Sequence, residues 1–464
     1  MKKYIISLGL LMAISLNSCS DFVDGFEISP NSPTDSNPAL LTTVTQVTTF
    51  SHFTGQFARM AAILTQQCDG VQAQYEDIAN YAIFEGDNQN EWDSHYSTML
   101  DAQILIDQAG EDNPYYRGVG SVIKAMTLGL TTDFWGDAPN SQALQGQQGE
   151  SSYNPAFDSQ QSIYDNIQTL LSNAITDFGK SADQNAIVPG TDDLIFGGDI
   201  AKWTAMAWVL KARYAIHLTK RDVNKSSADA LTFVQNAYNA GMAGSDFDAN
   251  ALFTGAGNTL NQWYAFQQTR GDYIKMAEGF VEFLKQINDP RLSAYAAIDK
   301  NGGISGSPLG APNTNASDVG DYFASPDSPA PLVTYVEAKF IEAEAAFRTQ
   351  ALERAANAHN DAIKAHILLV TGSDADPAYI AAQASETAQS ITLEKIMTHK
   401  YVAMFTQFEV YNDWRRTGIP SLSPNPNGIV NGIPRRLPTP QNERLYNTSV
   451  QVVSDILKPV WWDE

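Results

Sequence analysis

The chain has 464 residues, with 29 Lys and Arg against 52 Asp and Glu, giving a formal net charge of -23. Hydrophobic residues make up 43% and aromatics 10%, enough apolar material for a sizeable core, so global disorder is excluded. The acidic balance argues against nucleic acid, whose phosphates need clustered Lys and Arg, and against adsorption to anionic lipid through a basic patch.

In chain order, Lys2 and Lys3 precede an apolar run, Tyr4 to Leu16, and then Asn17-Ser18-Cys19. A basic start, a short apolar stretch and a small residue describe a secretory signal over residues 1–18. The run is shorter than the roughly 20 residues a membrane span needs. Leu16-Asn17-Ser18-Cys19 resembles a bacterial lipobox, which predicts acylation of Cys19 and anchoring to a membrane. Residues 19–42, rich in Asn, Ser, Pro and Thr, read as an extended tether, and 43–464 as the folded domain.

Helical periodicity then dominates. Ile200, Trp203, Ala207, Leu210, Tyr214 and His217 recur at three- and four-residue steps, one face of a packed helix over 198–219. Comparable patterns predict helices over 45–68, 92–109, 115–132, 160–178, 228–240, 274–288, 332–349, 351–370 and 391–412. No long stretch alternates with period two, so the fold class is all-α with little β structure. Ala343, Ala355 and Ala362 fall at the spacing where tetratricopeptide helices need small side chains, and Trp203-x2-Met206-Ala207-x2-Leu210 echoes the same pattern. Gly/Pro/Asn-rich stretches at 137–156, 179–199, 241–262, 299–331 and 418–442 interrupt the helices and are the natural place for a ligand surface.

Two cysteines, Cys19 and Cys68, cannot make a disulfide framework or a zinc site, and Cys68 reads as a small buried hydrophobe. His359 and His366 share a helical register but have no third ligand in a recognisable pattern; neither metal nor cofactor is expected. Acid pairs such as Glu278 and Glu282 lie in no recognisable catalytic setting, so the chain reads as a non-enzyme.

Four ordered motifs resemble the SusD/RagB family of nutrient-binding lipoproteins from Bacteroidetes. They are Trp135-Gly136-Asp137-Ala138-Pro139, Asn288-Asp289-Pro290-Arg291, Arg415-Arg416-Thr417-Gly418 and the run Pro434-Arg435-Arg436-Leu437-Pro438 through Glu443-Arg444. Asn140 departs from the aromatic usual after the first. Their local chemistry is structural: Gly136 allows a turn, Gly418 caps a helix ending in arginines, and Arg435, Arg436 and Arg444 are available to pair with acids. The resemblance implies a right-handed superhelix of tetratricopeptide-like helix pairs with long inserted ligand-binding loops. It also implies a cell-surface, lipid-anchored outer-membrane protein that passes oligosaccharide or polysaccharide, or in some branches peptide, to a SusC-like TonB-dependent transporter. A non-catalytic helical-repeat scaffold is the alternative from another class.

A glycan site needs exposed aromatic platforms with amides or charged groups beside them. The stretch Asn258–Tyr273 supplies Asn261, Trp263, Tyr264, Arg270, Asp272 and Tyr273; the stretch Gln72–Trp92 supplies Tyr75 and Tyr81. Trp92 and Tyr96, four apart, read as core instead, and Tyr322 with Phe323 is a third option. The acidic surface favours a neutral glycan, a glucan first. On this reading Trp263→Ala abolishes glycan retention while stability changes little.

Overall fold

The computed structural model describes residues 37–374 and 376–464; the signal over 1–18 and Cys19 lie outside the described residues. The tether ends sooner than position 42. Helix α1 (Pro38–Thr54) begins there because the Asn37 side chain accepts the Leu40 amide at 2.9 Å, and Pro38 has no amide to leave unpaired in the first turn. Gly55 divides α1 from α2 (Gln56–Leu64), which leads into β1 (Cys68–Gly70) and α3 (Ala73–Ala79).

The framework follows: α4 (Gln89–Ala109), α5 (Pro114–Trp135), β2 (Ala138–Pro139) paired with β3 (Phe157–Asp158), α6 (Gln160–Phe178), α7 (Ile200–His217) and α8 (Val223–Asn239). Then come β4 (Ala249–Ala251), α9 (Gln262–Arg270), β5 (Ile274–Met276), α10 (Glu278–Gln286) and β6 (Ala330–Val333). The chain continues with α11 (Tyr335–Arg348), α12 (Leu352–Thr371), α13 (Pro377–Gln383), α14 (Leu393–Ala403) and α15 (Glu409–Thr417). Each of α4 to α8 packs on its sequence neighbour, α8 packs on α11, and α11 on α12, so the core is built from successive helix pairs. Among the described residues the sheets are two-stranded only: β1 with β5, β2 with β3, β4 with β6. None of the described helices is long and apolar enough to cross a membrane.

Periodicity located the framework where a helix buries one stripe, as α6 does through Ile163, Ile167, Leu171 and Ala174, while the central helix α5 is buried on nearly every side. Ala343, Ala355 and Ala362 are fully buried, where small side chains let α11 and α12 approach. Gly129 serves the same end between α5 and α7: a Cβ there would fall 2.0 Å from the Tyr214 phenol oxygen. Gly129→Ala is therefore expected to lower stability by about 1–3 kcal/mol, read as a lower urea midpoint. Three helix assignments need correction: the span 45–68 is two helices divided at Gly55, with Cys68 already in β1. The span 274–288 starts as a strand because residues 274–276 pair with β1, and 391–412 breaks between α14 and α15, where Thr406 adopts φ 65.

The four motifs hold the framework together. The Arg436 guanidinium donates to the Trp135 carbonyl at the end of α5, Gly136 turns at φ 81, and Asp137 Oδ1 accepts the Gln160 amide at 2.8 Å to start α6. Arg291 and Asp289 form a buried pair joined by Tyr379 and by His366, which accepts from Arg291. Arg415 donates to the carbonyls of Asp133 and Arg435, and Gly418 (φ 70) ends α15. Beneath them lies a buried polar cluster: Tyr164, Asn412 and Trp462 donate to Asp133, while His217 pairs with Glu409. Burial alone would raise the Glu409 carboxyl, but His217 and Arg213 hold it below the usual carboxylate range.

Candidate ligand-binding site

The stretch Asn258–Tyr273 is mostly helix rather than loop. Asn261 is the N-cap of α9: its side-chain oxygen accepts the amides of Trp263 and Tyr264 at 2.9 and 3.1 Å, and its amide donates to Ser328 O. Trp263 and Phe266, three apart, form the buried face, and the Trp263 indole is only 1% exposed. The predicted platform is therefore core, and Asn261 a cap. Tyr264 is half-buried.

Phe266 gathers residues from both predicted stretches. The Arg59 guanidinium lies 4.7 Å over its ring and Arg270 6.0 Å, while Tyr75 and Tyr273 meet it edge-on at 4.9 and 6.4 Å. Tyr75 is buried, accepting from Arg59 and donating to Gln56, so it cannot be a platform either. A cleft of about 280 Å³ beside this cluster is lined by Gln56, Arg59, Asn90, Glu91 and Gln262. Asp272 stands apart from it, ion-paired with Lys300 at 2.9 Å and Lys275 at 3.1 Å, which hold its carboxyl below the usual range.

Tyr81 is also buried, at 3% exposed, and works as an anchor: its hydroxyl accepts the Asn425 amide at 2.7 Å and its ring packs on Gly428. Trp92 is core, as its spacing with Tyr96 predicts. Phe323 is buried against Phe405, and Tyr322 is half-buried, donating to Leu369 O. Among the described residues no group of three His, Cys, Asp or Glu could hold a metal.

A cavity of about 520 Å³ opens where β1, α10, α14 and the inserted stretches 299–331 and 418–442 meet. Its apolar wall includes Phe283, Leu309 and Leu422; its polar wall includes Asp69 and Ser307. Backbone bonds fix the roof: Ser307 N donates to Met276 O at 2.7 Å, and Glu278 N to Ser307 O at 2.9 Å. Gln66 Nε2 donates to Ser423 O at 2.6 Å and Asn425 Nδ2 to Ala79 O at 2.8 Å, tying the second stretch down. Ser307 Oγ donates to Asp69 Oδ2 at 2.6 Å. Burial pushes the Asp69 carboxyl up to about 6 against that hydrogen bond. Burial also raises the Cys68 thiol, which keeps it an inert part of the floor.

Phe283 is half-buried in this wall and offers a ring partly open to the cavity. The sequence hides it, because Phe280, Phe283 and Leu284 share one helical stripe and read as core. A ring beside a carboxylate and a hydroxyl suits a ligand with apolar C–H faces and a rim of hydroxyls.

A SusD-like family model, described as starch-binding and associating with the outer membrane, matches residues 30–440. A SusD/RagB family protein from Bacteroides thetaiotaomicron superposes with a TM-score of 0.75 at 24% identity, over 92% of this chain and 99% of its own. A chitin-binding SusD homolog from Flavobacterium johnsoniae gives 0.77 at 21% identity, over 92% and 98%. A SusD homolog from Bacteroides fragilis gives 0.73 at 22%, over 92% and 100%. At these identities the solved structures establish the fold. No curated protein matches the sequence.

Proposed function

The chain belongs to the SusD-like family, and from that premise we propose that it is a cell-surface glycan-binding lipoprotein without catalytic activity. It captures a neutral oligosaccharide or polysaccharide, a glucan first, and hands it to a SusC-like TonB-dependent transporter, held at the outer membrane through acylated Cys19. The observation that carries this reading is the loop-roofed cavity, in which Phe283 supplies a stacking face and Asp69, oriented by the Ser307 hydroxyl, supplies a carboxylate for a sugar hydroxyl. Chitin binding by the Flavobacterium johnsoniae relative supports a glycan of neutral backbone. Capture of this kind is weak enough for release, because a stacked ring adds only about 0.5–1.5 kcal/mol.

Affinity gels with neutral glucans, chitin oligomers, mannans, anionic polysaccharides and peptides test the reading. Neutral glycan is expected to retard the protein, and Phe283→Ala to weaken retention about 2- to 10-fold, the equivalent of that stacking energy. Hydrolysis of any polymer, or retention only by peptide, would overturn it.

Retention should also depend on pH. A sugar hydroxyl donates best to ionised Asp69, whose carboxyl titrates at about 6, so binding is expected to weaken as pH falls through that value. Asp69→Asn should flatten this profile. The stability sign is opposite: the folded state holds this proton between the usual carboxylate value and about 6, so this group's contribution falls as pH rises across that window.

A further inference from the structure

Of the arginines in the late Pro-rich run, Arg435 pairs with Asp463 and Arg444 with Glu85. Arg436 is different. It is 8% exposed, yet no described carboxylate lies within ion-pair distance of it. Its Nη2 donates to Trp135 O and its Nε to Leu437 O, while Nη1 makes no hydrogen bond to the described protein. Gly136 makes the close approach possible, because a Cβ there would sit 3.2–3.5 Å from the guanidinium. The C-terminal end of α5 offsets part of the charge, about half of one at best. Burial pushes Arg436 down to about 10 against the opposing pull of Asp137, and Arg415 adds to the shift. The surroundings therefore leave the cation under-compensated, in contrast to the paired arginines beside it.

Arg436 lines a cavity of about 580 Å³ that shares no lining residue with the loop cavity. Lys458, exposed and without an ion-pair partner among the described residues, lies in the same lining, as do the half-buried rings of Phe157 and Trp461. Of the acids in that lining, Asp137 accepts the Gln160 amide through Oδ1 and acts on Arg436 only from beyond ion-pair distance, while Glu464 lies 3.7 Å from Arg221.

We propose that this cavity binds a ligand carboxylate, with Arg436 Nη1 as the donor, Lys458 as the second cation, and Phe157 and Trp461 flanking the attached group. A planar guanidinium held by two carbonyls is pre-organised for that role, so little side-chain freedom is lost on binding. The site takes an acid although the protein as a whole is acidic. Long-range repulsion is screened within about 8 Å at physiological salt, whereas a buried contact is screened far less.

Titration calorimetry on the folded chain tests the proposal with glucuronate, N-acetylglycine and glucose as probes. Saturable binding is expected for one or both carboxylates and not for glucose at matched concentration. Binding of both acids means that the carboxylate itself is recognised; glucuronate alone points to an acidic sugar and N-acetylglycine alone to a peptide terminus. Arg436→Gln is expected to weaken binding at least tenfold. Because Arg436 also caps α5, Lys458→Gln provides an exposed second variant, expected to weaken binding several-fold with unchanged melting. No carboxylate binding to the wild-type protein, or affinity unchanged in Lys458→Gln and Arg436→Gln proteins that both remain folded, would overturn the proposal. Neutral-glycan retention, read in parallel, reports on the loop cavity separately.

Discussion

Trp263→Ala is expected to cost about 3–5 kcal/mol of folding stability. The indole is 1% exposed and sits one turn before Phe266 on the buried face of α9, so truncation leaves a void that the surrounding helices fill only partly. This reverses what the composition of the stretch implies, namely loss of glycan retention at constant stability. Urea unfolding followed by circular dichroism reads the effect as a fall in midpoint at nearly constant slope. A midpoint within experimental error of wild type would return Trp263 to the surface and reopen α9 as a stacking platform.

Arg213→Ala is expected to be as severe, for an electrostatic reason. On α7, Arg213 donates through Nε and Nη2 to the two carboxylate oxygens of Glu337 on α11, both at 2.5 Å, and through Nη2 to Leu332 O at 2.8 Å. Both side chains are essentially without solvent, at 2% and 0% exposure. Removing the cation leaves a carboxylate buried and unpaired, a loss of about 3–5 kcal/mol. Replacing both partners, as Arg213→Met with Glu337→Leu, should recover most of it, because the apolar pair has no charge to desolvate. Equal destabilisation in the single and double variants would show that the pair matters through packing rather than charge.

The framework was legible because a helix packed on two neighbours must repeat its apolar residues every three or four positions. Residues 160–178 show this: Ile163, Ile167, Leu171 and Ala174 form one fully buried stripe and Ser159 caps the start. Short elements were not legible. In α9 an Asn cap and two aromatics look like a sugar-binding loop, since amides serve equally to end a helix and to hold a hydroxyl. Tyr75 and Tyr81 failed as platforms for a related reason: each phenol is occupied by an internal partner that sequence proximity does not reveal, Asn425 in the case of Tyr81. The loop cavity was legible only as the prominence of stretches 299–331 and 418–442. Its walls come from segments more than two hundred residues apart, as the Asp69–Ser307 bond shows, and Phe283 carries the signature of core.

Trp462 has a consequence for how the polypeptide acquires its shape. Its indole donates to Asp133 at 3.1 Å, lies 5.5 Å from His217 and is overlaid by Arg415 at 4.6 Å. Asp133, His217 and Arg415 thus share a keystone that emerges from the ribosome long after Asp133 does. A contact across so many residues is slow to form, so the Trp462–Asp133 bond is expected to close after the sequence-adjacent helix pairs have packed.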